Sequence, residues 1–138
     1  MLGLGDLLTQ VERKTKVLHI IFNNESLNFV SIEQQEAGIV PFGVDFKNPN
    51  FAKVAEAMGA KGIRLEEPGD VKDALAEALA YKDGPMVVDA VVDRYALSMP
   101  SHVPFHTAKG FTLSMAKQVL SGNMDAVIKT VERNVHLI

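Results

Sequence analysis

Val17-Leu-His-Ile-Ile-Phe-Asn-Asn-Glu-Ser-Leu-Asn-Phe-Val-Ser-Ile-Glu33 is the stretch on which the fold turns. Val17 to Phe22 is an apolar run broken only by His19. It is far too short to cross a bilayer and has the length and branching of a buried strand. Asn23-Asn24 end it, and a helical pattern begins just after them. In open α/β sheets, ligands sit beyond the carboxyl ends of the strands. A helix N-terminus at that place favours phosphate through its free N–H groups and its dipole. An Asn carboxamide oxygen is a hard, neutral donor suited to Mg²⁺ holding a diphosphate. The residues therefore allow a Mg-diphosphate site. They equally allow a plainer role, in which two asparagines turn the chain and cap a helix.

Working outward, Leu7, Leu8 and Val11 share a helical face after Asp6, an N-cap residue type, and basic Arg13, Lys14 and Lys16 suit that helix's C-terminal end. Downstream, Asn50 is placed to cap Phe51, Val54, Ala55 and Met58, and Gly59 to stop that helix. Gly62 to Leu65 reads as a short strand, Asp70 as the cap of a helix with Val71, Ala74, Leu75, Ala78 and Leu79 on one face, and Pro85 to Val92 as a second strong strand. This alternation implies βαβ crossovers, hence an α/β fold of three layers, α/β/α, with a parallel sheet. The nearly continuous apolar strands predict burial on both faces. Tyr95 to Thr107, with Pro100 and Pro104 and no period, reads as an extended surface connection. Leu113, Ala116 and Leu120 predict a helix ending at Gly122, and Asn123 caps a last helix with Met124, Val127, Ile128, Val131 and Val135 on one face. The expected division is an α/β domain over residues 1–94 and a helical C-terminal extension over 95–138. Three strands are few for a doubly wound domain. The sheet is therefore expected to be completed by another chain or by the rest of a larger protein. An open parallel edge also invites association, so a dimer or swapped contact is expected.

Composition narrows the function classes. With 138 residues, 47% hydrophobic and 22% charged, the chain can bury a real core. A net charge of −3 argues against nucleic-acid binding. The absence of cysteine excludes disulfides, thiolate nucleophiles and Cys-type zinc sites. Met1 to Asp6 lacks the marks of a signal peptide, so a cytoplasmic location is the expectation. Charge is uneven: Lys109 to Ile138 carries four basic and two acidic residues, +2, against −5 for the remainder. His102 and His106 have a spacing that suits a metal on a helix, but Pro104 lies between them and no metal site is expected there. His19 is expected to be a packed or sheet-facing histidine.

Several stretches resemble one family. Phe22-Asn-Asn24 with Leu27-Asn-Phe-Val30 looks like the second half of the thiamine-diphosphate motif, whose first half is Gly-Asp-Gly. Together with Asn50-Phe-Ala-Lys-Val-Ala-Glu-Ala57, Lys61-Gly-Ile-Arg64, Asp83-Gly-Pro-Met-Val-Val-Asp-Ala-Val-Val92 and Ala108-Lys-Gly-Phe-Thr-Leu113, it resembles the C-terminal part of flavin-dependent pyruvate oxidases and pyruvate:quinone dehydrogenases. The resemblance covers nearly the whole chain in order. Ala108-Lys-Gly-Phe111 points to that branch over acetolactate synthases and decarboxylases. No Gly-Asp-Gly occurs in the sequence. The resemblance thus implies a partial thiamine-diphosphate-binding fold, contributing half of a Mg-diphosphate site to an enzyme of oxidative pyruvate decarboxylation. Thiamine diphosphate and Mg²⁺ are the implied cofactors, with FAD in the whole enzyme. Asn24 matches a side-chain Mg²⁺ ligand and Ser26 the residue whose backbone carbonyl meets the metal. Leu27 falls with them at the cofactor. Phe29 matches an aromatic near the substrate and flavin side, and Glu33 an acidic residue of the substrate pocket. Read as residues alone, Phe29 equally suits core packing and Glu33 a solvated helix face. Asn28 stands where relatives commonly have Gly. The family also implies a homo-oligomer and, in its quinone-dependent members, a C-terminal amphipathic element that meets the inner membrane face. Asn123 to Ile138 would serve for that, although an amphipathic helix is ordinarily docked on its own core. The isolated chain is expected to be inactive. The rival readings are a piece of another thiamine-diphosphate enzyme and a non-catalytic α/β interaction module.

Overall fold

The structure, a computed structural model, describes residues 4–96 and 105–135. Two compact units form: Met1–Asn23 with Lys47–Val92, and Asn24–Phe46 with Asp93–Ile138.

The first unit holds α1 (Leu4–Glu12), β1 (Leu18–Asn23), α3 (Phe51–Ala57), β2 (Lys61–Leu65), α4 (Val71–Ala80) and β3 (Met86–Val91). The sheet is parallel, in the order β1-β3-β2, with Val88 of β3 level with Ile20 of β1 and Ile63 of β2. Helices cover both faces. On one, Val87 packs with Ala55 and Ala60 of the α3 region and with Leu7 and Val11 of α1. On the other, Met86 and Val88 pack with Ala78 of α4, Leu18, Ile63 and Leu65. The expected three-layer α/β arrangement is thus present. Asn50 caps α3 as its position predicts, its side chain accepting from the Lys53 N–H at 2.9 Å. Gly59 follows with φ +88, the left-handed conformation that ends helices. Gly62 is required by contact: a Cβ there would lie 2.3 Å from the Ala52 carbonyl oxygen, so only glycine lets α3 lie this close on β2.

Three details differ from expectation. Asp6 does not cap α1, because the helix already includes Leu4 and Gly5. Asp70 stands before α4, but a 3₁₀ turn over Pro68–Asp70 leads into the helix and the carboxylate makes no capping bond. Burial on both faces holds for β3 but not for β1. β1 is an edge strand, and Ile20 and Phe22 on its α4-facing side are exposed, Phe22 to 74%. They border an apolar groove of about 340 Å³ with Val88, Ala90, Val71 and Leu75.

The second unit holds α2 (Asn28–Glu36), α5 (Phe105–Leu120) and α6 (Met124–Asn134). α5 starts inside the segment expected to be extended, at Phe105. Its buried face is Thr107, Phe111, Ser114 and Gln118, whereas Leu113 and Leu120 of the expected apolar face are exposed. The reason is that polar groups of α5 are bonded to the turn after α2 and, through Gln118 and Gln35, to α2 itself. Ser114 Oγ donates to the Ile39 carbonyl at 2.7 Å, Lys117 Nζ to the Gly38 carbonyl at 2.8 Å, and Gln118 Nε2 to Ser114 Oγ at 3.2 Å. At Gly110 a Cβ would fall 1.7 Å from the Glu36 carbonyl oxygen, so the helices meet backbone to backbone. The Ala108-Lys-Gly-Phe111 signature therefore has a packing cause. In α6, Arg133 pairs with Asp93 at 2.7 Å and Lys129 lies over the Tyr95 ring. The stripe of Met124, Ile128, Val131 and Val135 is exposed rather than docked. His102 and the chain beyond Val135 lie outside the described residues. Among the described residues, no helix is long and apolar enough to cross a membrane.

Candidate functional site

β1 ends in a buried asparagine. Asn23 Nδ2 donates to Asp89 Oδ1 at 3.0 Å, and Asn23 Oδ1 accepts from Asn48 Nδ2 at 3.0 Å. Its carbonyl accepts the Val92 N–H at 3.1 Å. Both ends of this carboxamide have partners inside the protein and the residue is only 4% exposed, so burial keeps its oxygen from a ligand.

Asn24, next in the chain, is differently placed. Its Oδ1 accepts the Ser26 N–H at 3.0 Å, closing a tight turn in which Glu25 takes the left-handed conformation, φ +53. The turn is tied down on both sides: Leu27 N–H donates to the Val44 carbonyl at 2.8 Å, and Phe46 N–H to the Glu25 carbonyl at 3.0 Å. Asn24 Oδ1 keeps a second lone pair. The Ser26 carbonyl accepts no hydrogen bond from any described residue. Two hard oxygens two residues apart are donors that Mg²⁺ accepts, and they can fill only part of its octahedral shell. Among the described residues, no group of three His, Cys, Asp or Glu side chains could hold a metal. The residues fit a diphosphate-bound Mg²⁺ as contributors, with the remaining donors supplied from elsewhere. Asn24 and Ser26 would hold it, Ser26 through its backbone.

Phe29 and Glu33, four residues apart, share one face of α2, distinct from that of buried Ile32 and Gln35. Both are exposed, Phe29 to 72%. Core packing is therefore not the role of Phe29 here. Leu27 precedes α2 and makes no side-chain cap; its side chain is exposed. A polar cavity of about 230 Å³ opens on the other side of α2, lined by Ser26, Ser31, Gln35, Asp45, Arg94 and Gln118 among others, and neither Phe29 nor Glu33 borders it. An Arg94–Asp45 ion pair stands at this cavity. His19 is satisfied within the fold, its Nε2 lying 2.7 Å from Gln10 Oε1.

One group escaped sequence reasoning. Asp89 is fully buried in the central strand and is the hub of the polar cluster beneath Asn23. Its Oδ2 accepts the Phe51 N–H at 2.9 Å and Arg64 Nη1 at 2.8 Å. Arg64 also donates to Glu66 at 2.6 Å. Its pKa is pushed further up, by the hydrogen bond to Glu66 first and then by Asp89. The available signal was a lone aspartate inside Val87-Val-Asp-Ala-Val91, since a buried carboxylate demands partners.

The comparisons with known proteins agree with this frame. Residues 1–90 match the family model described as thiamine pyrophosphate enzyme, C-terminal TPP binding domain. The chain is 32% identical over 131 residues to the thiamine pyrophosphate-containing protein YdaP of Bacillus subtilis, covering 93% of this chain and 22% of that protein. It is 33% identical over 88 residues to the acetolactate synthase of Bacillus subtilis, covering 64% of this chain and 15% of that enzyme. It is 29% identical over 89 residues to the pyruvate oxidase of Lactiplantibacillus plantarum, covering 63% and 15% respectively. The chain thus spans less than a quarter of the length of these relatives. The match over residues 1–90, with which the parallel α/β sheet accords, places the chain in the thiamine pyrophosphate enzyme family, as its C-terminal TPP-binding domain.

Proposed function

We propose that this chain supplies the Asn24 and Ser26 share of a Mg-diphosphate site in a pyruvate oxidase or pyruvate dehydrogenase that also uses FAD. The observation that carries this reading is the Asn24 turn, in which the Ser26 N–H fixes the carboxamide and leaves one lone pair and the Ser26 carbonyl open. When bound, thiamine diphosphate supplies the nucleophilic carbon for decarboxylation of a 2-keto acid. This chain's residues hold its diphosphate end through the cation. Phe29 and Glu33, on the solvent face of α2, are where substrate groups would be met. The oxidase branch is favoured by Ala108-Lys-Gly-Phe111, in which Gly110 sets the approach of α5 to the helix carrying Phe29 and Glu33. Acetolactate synthase is the second reading, favoured by 33% identity over 88 residues. In the whole protein we further propose a homo-oligomer of cytoplasmic location. The exposed stripe of α6 is consistent with peripheral contact at the inner membrane face.

The two readings differ in product. A longer protein carrying this chain, given pyruvate, thiamine diphosphate, Mg²⁺ and FAD, is expected to reduce an added quinone or oxygen. Acetolactate formation without acceptor reduction would replace the oxidase reading with the synthase one. The 138-residue chain alone is expected to turn over nothing under the same conditions, and activity from it would refute the proposal that it holds only part of the site.

A further inference from the structure

The adjacent asparagines have opposite surroundings. Asn23 is buried with both polar ends partnered, by Asn48 and Asp89, while Asn24 is only part-buried and the Ser26 N–H is its side chain's one partner among the described residues. Asp89 is the cause of the first. Its carboxylate holds three donors from three elements: the side chain of the last residue of β1, the first N–H of α3, and Arg64 of β2. None of these bonds serves the sheet ladder. The N–H of Phe51 is one of the orphan donors every helix start exposes, and a carboxylate there is favoured by the helix dipole. Arg64 supplies the opposite charge without which burial of Asp89 would be costly. The unit is fully satisfied, with no unpartnered buried side-chain atom among the described residues. Such a network specifies one arrangement of the groups it joins.

We propose that Asp89 is a positioning residue for the Asn23-Asn24 step: by holding Asn23 and the start of α3 it fixes where β1 ends, and so reserves Asn24 as the carboxamide that reaches the cation. Asn23 is an anchor and not a ligand. This rests on the metal-site reading for the use made of Asn24.

Native-state hydrogen exchange on the ¹⁵N-labelled full chain tests it, with Ala78 in α4 as the reference amide. In Asp89→Asn, the amides of Phe51, Val92 and Ser26 are expected to exchange about tenfold faster relative to Ala78, the scale of a lost charge-assisted hydrogen bond. A merely structural role would speed all four together, and that result would overturn the proposal, as would an unchanged Ser26. Asp89→Asn removes one of the two carboxylates that Arg64 pairs with, so the double variant Asp89→Asn/Arg64→Met guards against general unfolding. There Ala78 should return to its native rate while Phe51, Val92 and Ser26 stay fast. Wild-type ratios at those three amides in the double variant would also overturn it. Failure of the metal reading is separate. It would appear as Mn²⁺–thiamine diphosphate broadening indifferent to Asn24→Ala, with the Asp89 exchange pattern intact.

Discussion

Single residues carry much of what distinguishes this chain. Gly62 and Gly110 are needed because backbone stands where a Cβ would be, at 2.3 Å and 1.7 Å respectively. Gly62→Ala must push α3 off β2, and Gly110→Ala must part α2 from α5. Each is expected to cost about 1–3 kcal/mol or more, the range for overpacking. Urea unfolding checks this as a lower midpoint with the slope unchanged. Asn50→Ala removes one capping bond and is expected to cost about 1 kcal/mol, read in the same way. At this scale the sequence was partly legible. Asn50 and Gly59 announced their roles by residue type and place. Gly110 was visible only as part of a family signature, because no periodicity shows that another backbone lies against it. Asp89 was hidden inside an apolar run, and its partners come from distant parts of the chain.

At the scale of elements, the strands were legible to within a residue, since their branched apolar runs suit only one kind of burial. The α5 face was not. Ser114 and Gln118 are buried through hydrogen bonds to Ile39, Gln35 and each other, and a hydrophobic pattern cannot see burial of that kind. β1 misled in the opposite sense. Its composition suits two covered faces, yet Ile20 and Phe22 are exposed on an edge strand that carries no Lys, Pro or bulge to protect it. Phe22→Ser is therefore expected to weaken self-association of the chain, with stability changed by no more than about 0.5 kcal/mol. Sedimentation velocity over a concentration series would show it. An unchanged oligomer distribution would mean that association, if present, uses another surface.

For the molecule as a whole, the α/β class and the three strands followed from alternation of patterns. The candidate site was legible only because Asn23-Asn24 sat at a strand end and resembled a known motif; nothing in the residues alone separated Asn23 from Asn24. The structure separates them by burial: Asn23 is buried with both ends partnered, and Asn24 is part-buried with one partner among the described residues. With only two metal donors in the turn, calorimetry on the isolated chain is expected to show no tight binding of Mg-thiamine diphosphate. The central claim, that Asn24 and Ser26 are this chain's contribution to a Mg-diphosphate site, is tested most directly by titrating the ¹⁵N-labelled chain with Mn²⁺–thiamine diphosphate at high concentration. The Asn24 carboxamide and the Ser26 and Leu27 amides should broaden first, and Asn24→Ala should abolish the effect at Ser26 and Leu27. Broadening centred elsewhere, or the same broadening in Asn24→Ala, would contradict it.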